Sequence, residues 1–545
     1  MTAPATSKND ADFYKLRYLI IDDFENFRAS MRQMLHGFGA STVEAASNGS
    51  AAIQQCTYGH FDVVLCDFNL GEGKNGQHIL EELRHRKLLK RSSLFLMVTA
   101  ETSKEMVMGA REYQPDAYLT KPINRAMLEK RLGGLIAQRS VLLPINREID
   151  LENLPEAISL CIQAIPKFPR YRSWLMKTLA DLYYQMGDYS HARKLYDEVL
   201  EQRDLSWAQL GRSKVLLAEQ SYDQAELALK SLIQNHPDFM EAYDALAETL
   251  AHKGQLSKAQ RVLEKAVELS PNALLRQKSL AHMATSNQDI EAAAEAWRRT
   301  VGLGAHSIHD DADHYLALGR ALSELSDENL EETGQAKAEE ALKILAKMEK
   351  RFSERSDLRV KSLLIQSRVH AGQKRGDEAT KCLDMVTQDL DHGTMDASMG
   401  LELAKTLFRL DRHKDAEQLL GKLAQRFESN PEIIQQIENL LDEPVGFKQK
   451  LKARSLTRSG IKAFEDGELD KAAETFEAAL EIVPSHAALN LNLVQVRIKQ
   501  LSEGSQNPDF IRQCQRCLSA LEHIPEQHRQ YRRYTALRSK LETLV

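Results

Sequence analysis

Six cysteines and 14 prolines among 545 residues are too few for a disulfide scaffold or a proline-rich chain. The nearest cysteine pair, Cys514 and Cys517, has no second CxxC to complete a four-ligand zinc site, so buried free thiols are expected there. No run approaches the roughly eighteen apolar residues of a membrane span. The opening residues 1–14 have no apolar stretch of the signal-peptide kind. A reducing, cytoplasmic location is the expectation. Lys and Arg number 72 against 78 Asp and Glu, a formal charge of -6, without the basic excess that general nucleic-acid binding draws on. What is plentiful is apolar and charged residues together, 43% and 28%, the balance of a helix-rich folded chain too long for one core.

The first 140 residues alternate short β-rich runs with amphipathic helical stretches, the pattern of an open α/β fold with a parallel sheet. The strands are Tyr18–Ile21, Thr42–Ala45, Val63–Cys66, Leu94–Val98 and Ala117–Thr120. Helical periodicity spans Phe27–Phe38 and Gly76–Leu88, and a last helix covers Asn124–Arg139. The polar residues fall at strand ends: Asp22 and Asp23 after the first, Asp67 after the third, Thr99 after the fourth, Lys121-Pro122 after the fifth. Ligands of open α/β sheets bind at that carboxyl edge. Three carboxylates from different strands repel one another unless a cation neutralises them, and an all-oxygen ligand set suits Mg²⁺. Gly71, Gly73 and Gly76 lack the GxxxxGK[ST] order of a nucleotide loop and read as a glycine-rich turn.

In order and position, Asp22-Asp23, Asp67, Thr99-Ala100 and Tyr118 to Pro122 resemble the CheY-like receiver domain of two-component response regulators, a flavodoxin-like fold with a five-stranded parallel sheet. The resemblance implies that Asp67 accepts a phosphoryl group from a histidine kinase or phosphotransfer protein. Asp23, Asp67 and the Asn69 backbone carbonyl would hold Mg²⁺, with Asp22 acting through water. Lys121 would pair with the phosphoryl oxygens and Thr99 would donate its hydroxyl to one of them. Tyr118 would be the rotamer switch that follows Thr99, and the Lys121-Pro122 peptide would be cis. Asn69 and Glu101 occupy the positions that tune hydrolysis of the acyl phosphate. The segment after Leu70 departs from the pattern: it lacks the usual proline and is one residue longer.

Beyond residue 150 the strand signal disappears and helices come in pairs. Ala192, Ala225, Ala259 and Ala293 recur at intervals of 33, 34 and 34 residues, each after a polar turn. Units such as Tyr243-x-x-Leu246-Ala247, Gly254, Ala259, Leu263, Ala266, Pro271, and the copy Gly460, Gly467, Ala472, Phe476, Ala479, Pro484, resemble the tetratricopeptide repeat. That resemblance implies a superhelical solenoid with a concave protein-binding face. The expected organisation is a tail 1–14, a receiver 15–140, a short linker 141–150, and an all-α repeat domain 151–545 with capping helices at its end.

Trp174, Trp207, Trp297 and Phe476 are expected to pack between helices. His306, His309, Asp310, Asp311, Asp313 and His314 are expected to be turn and capping residues rather than metal ligands. The basic residues Arg529, Arg532, Arg533, Arg538 and Lys540 are expected to be a solvated helix face. The reading is a response regulator whose receiver controls a tetratricopeptide scaffold. Its expected partners are a kinase or phosphotransfer protein and a protein held by the repeats, another response regulator among the candidates. It is not expected to be an enzyme beyond its own phosphoryl transfer and dephosphorylation. Two alternatives stand beside this: a phosphate sink that competes for the kinase, and, in another class, a degenerate helical-repeat enzyme or RNA-binding array.

Overall fold

The computed structural model describes residues 13–100, 115–389, 395–427, 429–442, 447–502, 507–522 and 530–542. Its contacts divide the chain into two compact units, Met1–His314 and Tyr315–Val545. The first unit opens with a five-stranded parallel sheet in the order β2-β1-β3-β4-β5, formed by β1 Arg17–Ile21, β2 Thr42–Ala46, β3 Val63–Asp67, β4 Leu94–Thr99 and β5 Ala117–Thr120. The central strand β3 is buried along its whole length, as a strand covered on both faces must be. Alternate residues feed two cores: Tyr18, Ile20, Val63, Leu65 and Leu96 on one face, Leu19, Ile21, Val64, Phe95 and Met97 on the other.

Among the described residues four helices belong to this layer: α1 Glu25–Gly37, α2 Gly49–Tyr58, α3 Gly76–His85 and α4 Arg125–Asp150. α2 is absent from the periodicity reading. Its sequence is too weakly amphipathic to stand out, yet Asn48 caps it by accepting from the Ala51 amide at 2.9 Å, and Ala52, Ile53 and Cys56 are buried. α3 stops three residues short of Leu88. Lys87 turns left-handed at φ 55° and the Leu83 carbonyl accepts from the Leu88 and Leu89 amides, which folds the chain back toward β4.

α4 corrects the expected boundary. Residues 141–150, expected as a short linker, continue the helix expected to end at Arg139. The reason is a change of partner along one apolar stripe. Leu128, Leu132 and Ile136 pack on the sheet, whereas Leu142 and Ile145 pack on Ala157, Ile158 and Cys161 of α5 Leu154–Lys167. The end of α4 is therefore the first helix of the first repeat pair. Pro144 sits inside it without ending it.

The pairs that follow in this unit are α6 Arg172–Gln185 with α7 Tyr189–Gln202, α8 Ser206–Ala218 with α9 Tyr222–Asn235, α10 Met240–His252 with α11 Leu256–Leu269, and α12 Leu274–Ser286 with α13 Ile290–Gly304. One device repeats. Glu152, Gly187, Gln220, Gly254 and Gln288 each turn left-handed, at φ between 59° and 77°, and the residue five positions later, Ala157, Ala192, Ala225, Ala259 or Ala293, is buried. The turn reverses the chain, and alanine is small enough for the two helices of the pair to cross. Glycine takes the left-handed position at no steric cost, while Glu152, Gln220 and Gln288 occupy it with a side chain.

Among the described residues the second unit is helical throughout, including Ser356–Gly372 with Gly376–Asp389, Ala397–Arg409 with His413–Arg426, and Phe447–Glu465 with Leu469–Ile482. The same turn recurs as Lys374 before Ala379, Asp411 before Ala416 and Gly467 before Ala472. Its most enclosed charge is Glu402, whose carboxylate meets Arg368, Arg320 at 3.2 Å and Lys405 at 3.3 Å. Burial works against the ionised Glu402, but the Arg368, Lys405 and Arg320 cations prevail and hold its carboxyl well below its ordinary value.

Trp297 and Phe476 are buried, and Trp174 and Trp207 pack half-buried between helices, as expected of them. Cys514 and Cys517 are buried free thiols, pushed up by burial to about 12 and about 11. Arg533 donates to Asn492 and Gln495, and Arg538 meets Glu542; Arg529 lies outside the described residues. Among the described residues no helix is long and apolar enough to cross a membrane.

Candidate functional site at the carboxyl edge of the sheet

β1 and β3 are paired in parallel with Ile21 opposite Cys66, so the residues just past that register, Asp22, Asp23 and Asp67, emerge side by side. One oxygen from each lies within 4.8 Å of the others. Among the described residues this is the only group of His, Cys, Asp or Glu arranged to hold a metal ion. Asp22 is fully buried, Asp67 is 6% exposed and Asp23 faces solvent. Two of the three carboxylates are thus withdrawn from water, and the group is open to solvent on the Asp23 side.

Lys121 closes the other side. Its ammonium donates to Asp22 Oδ2 at 2.8 Å and to Asp67 Oδ2 at 3.0 Å, and it lies 4.2 Å from the centre of the Phe27 ring. Its amide donates to the Thr99 carbonyl at 2.8 Å, and the Lys121-Pro122 peptide is cis. Burial alone would lower the Lys121 ammonium, but hydrogen bonds to Asp22 and Asp67 outweigh it and raise the group above its ordinary value. Burial raises Asp67 above the usual 3.8 against the opposing pull of Lys121, and the charge of Asp22 adds to the rise.

The backbone holds the carboxylates in place. Asp22 Oδ1 accepts from the Phe24 amide at 2.8 Å, and Arg28 donates to the Asp22 carbonyl at 2.7 Å. The Phe68 amide donates to the Val98 carbonyl at 2.7 Å. Asn69 is exposed, its side chain accepting from the Gly71 amide at 3.3 Å. Gly71 and Gly73 have φ of 75° and 99°, as a glycine-rich turn requires. Gly76 has another task. A Cβ there would overlap the Asp67 carbonyl oxygen and lie 2.8 Å from Met97 Sδ, so only glycine lets α3 begin directly against Asp67.

Asp67 pairs with Val98, which puts Thr99 one residue further along the neighbouring strand; Thr99 is half-buried. Tyr118 lies opposite Met97 on β5 and packs half-buried against the cluster around Phe95 and Met97. Glu101 lies outside the described residues. Phe27, Arg28 and Gly76 are the site residues that sequence reasoning missed. Phe27 and Arg28 read as ordinary positions of an amphipathic helix, and Gly76 was absorbed into the turn. The His306 to His314 stretch holds no metal-capable trio; His314 is buried against the Trp297 ring, 5.6 Å between centroids.

Residues 18–133 match the family model of the response regulator receiver domain, and residues 174–201 and 216–281 match tetratricopeptide repeat models. Chemotaxis protein CheY-3 of Vibrio cholerae is 31% identical over 120 residues, 22% of this chain and 91% of that protein. Chemotaxis protein CheY of Pseudomonas aeruginosa is 28% identical over 117 residues, 22% of this chain and 93% of its own length. A solved structure of Vibrio cholerae CheY4 is 28% identical, covering 22% of this chain and 95% of that one at a TM-score of 0.20.

Proposed function

Since the chain belongs to the response regulator receiver family through residues 18–133 and carries tetratricopeptide repeats behind them, we propose that it is a cytoplasmic regulator phosphorylated on Asp67 whose phosphorylation state governs the protein held by its repeats. The observation that carries this reading is the pairing of Lys121 with both Asp22 and Asp67 at the edge where the three carboxylates converge.

The donor is a phosphohistidine on a kinase or phosphotransfer protein. An Asp67 carboxylate oxygen attacks phosphorus, the bond to the donor's imidazole nitrogen breaks, and an acyl phosphate forms while the imidazole regains its proton from water. The Lys121 ammonium is already placed to follow the negative charge from Asp67 onto the phosphoryl oxygens, and Phe27 and Asp22 keep it there. Thr99 donates its hydroxyl to a phosphoryl oxygen, and Tyr118 answers its movement. The donor set of Asp22, Asp23, Asp67 and the Asn69 carbonyl is all oxygen, which fits Mg²⁺. Asp23, Asp67 and the Asn69 carbonyl would hold it, with Asp22 acting through water; when bound it neutralises charge on the transferring group. Asn69 and Glu101 are assigned the tuning of acyl-phosphate hydrolysis, which water completes by releasing phosphate from Asp67.

Incubation of the full chain with acetyl phosphate and Mg²⁺, followed by mass mapping, tests the assignment. The phosphoryl group should appear on Asp67 and be missing in Asp67→Ala. Labelling of another residue, or equal labelling of the variant, would refute it.

A further inference from the structure

The helix that starts against Asp67 ends its first turn on the repeats. His78, at the third position of α3, forms a capping box with Asn75: the His78 amide donates to Asn75 Oδ1 at 2.9 Å, and His78 Nδ1 accepts from the Asn75 amide at 3.3 Å. Because Nδ1 accepts, the ring proton is assigned to Nε2, which faces the Leu303 carbonyl at 3.4 Å. One helical turn on, Glu81 accepts from the Ser307 hydroxyl at 2.6 Å. The His306 ring lies 6.4 Å from that of His78. Leu303 to Ser307 is the end of α13 and the turn after it, more than 200 residues away in sequence.

Two features make this contact responsive to Asp67. The first is the absence of slack: the Gly76 amide donates to the Phe68 carbonyl at 2.9 Å, and Gly76 is packed on the Asp67 carbonyl, so a shift of the Asp67 backbone displaces the first turn of α3. The second is that the contact is poorly balanced. Glu81 is 7% exposed, yet its Oε1 is buried without a hydrogen-bond partner while Oε2 has the Ser307 hydroxyl. A carboxylate so enclosed with so few donors is costly to keep, which lowers the cost of undocking. The other attachment has no such weakness: α4 runs without a break from the sheet into the first repeat, and Asp150 accepts from the Arg91 amide at 2.8 Å.

We propose that the turn Leu303–Ser307, docked on His78 and Glu81, is an intramolecular latch between sheet and repeats, and that phosphorylation of Asp67 opens it through the first turn of α3. The outlet is α3, on the face of the sheet that Tyr118 also packs on, and not the edge strand β5 itself. This rests on Asp67 being the phosphoacceptor.

The test is hydrogen–deuterium exchange of the full chain, read in peptides covering residues 76–86 and 300–311, with peptides from α10 and α11 as reference. Wild type, Ser307→Ala and Glu81→Gln are each measured with and without acetyl phosphate and Mg²⁺, and intact mass reports phosphorylation. Losing the charge-assisted Ser307 bond should raise the open population on the order of ten-fold. Ser307→Ala without the donor should therefore match phosphorylated wild type in both peptides and change little further when phosphorylated. Glu81→Gln, which keeps an acceptor and removes the buried charge, should stay protected without the donor. Phosphorylated wild type that retains its protection in both peptides overturns the latch while leaving the phosphoacceptor assignment intact. Ser307→Ala indistinguishable from unphosphorylated wild type also overturns it. A chain that takes no phosphoryl group defeats both readings, and the mass shows which has failed.

Discussion

Gly76→Ala puts one methyl group where the structure has no room. The added carbon would lie 2.8 Å from Met97 Sδ and 3.1 Å from the Phe68 Cα, and closer still to the Asp67 carbonyl oxygen. Comfortable carbon contacts begin at about 3.5 Å, so α3 or the end of β3 must move by about 0.5 to 1 Å. Met97 can swing its thioether aside, but the two backbone neighbours cannot yield separately. Overpacking of this kind costs about 1 to 3 kcal/mol, against a gain of about 0.5 to 1 kcal/mol from replacing glycine by alanine in a helix. The expected net is about 1 to 2 kcal/mol of local destabilisation, an increase of roughly ten-fold in exchange of the α3 amides. The displaced Asp67 should also accept phosphoryl from acetyl phosphate at least several-fold more slowly. Hydrogen exchange and a time course of intact mass on the same samples give both numbers. An alanine variant with wild-type exchange in α3 and wild-type phosphorylation rate would refute the close approach of α3 to Asp67.

Glu402→Gln should destabilise the second unit by about 3 to 5 kcal/mol, because Arg368 and Arg320 keep their charge in an enclosed site that has lost its counter-charge. Denaturant unfolding followed by hydrogen exchange in Ala397–Arg409 checks it, and a change below 1 kcal/mol would contradict the assigned role. The folded Glu402 carboxyl lies below its ordinary 4.5, so its contribution is fully present above that pH and is lost as pH falls further toward the folded value. Acid unfolding of the second unit should therefore lose that part of its pH dependence in Glu402→Gln. Gly211 is held by Tyr196, whose hydroxyl oxygen would lie 2.7 Å from an added Cβ and whose ring would lie nearer. Gly211→Ala should cost about 1 to 3 kcal/mol by thermal unfolding, with the sheet unaffected. Chelation of divalent ions, or Asp23→Asn, should suppress phosphorylation of Asp67 by acetyl phosphate at least ten-fold without unfolding the chain, read by intact mass and circular dichroism.

The sheet was readable because four of its five strands, β2 excepted, are short apolar runs that end at a residue that could not be buried without a purpose. Asp22, Asp67, Thr99 and Lys121 mark strand ends by their polarity alone. The alanine spacing exposed the repeats for a related reason, since a helix crossing tolerates little else. Other features left weaker traces. α2 carries few large apolar residues, and its only clear signal is Asn48 at the cap. The continuation of α4 was hidden by Pro144, which resembles a helix breaker, while the evidence for continuation lay in Leu142 and Ile145 meeting α5. The left-handed Glu152, Gln220 and Gln288 could not be told from other polar turn residues. The contacts of Phe27 with Lys121 and of Ser307 with Glu81 are matters of tertiary approach, for which a single sequence holds no period or spacing.

The most direct measurement of the central claim uses the full chain as bait, wild type and Asp67→Ala, each with and without acetyl phosphate and Mg²⁺, against a lysate of its own cells. A regulator predicts a protein that binds wild type in only one phosphorylation state, with Asp67→Ala fixed in the unphosphorylated pattern under both conditions. Capture of the same proteins in equal amounts by all four samples would contradict it.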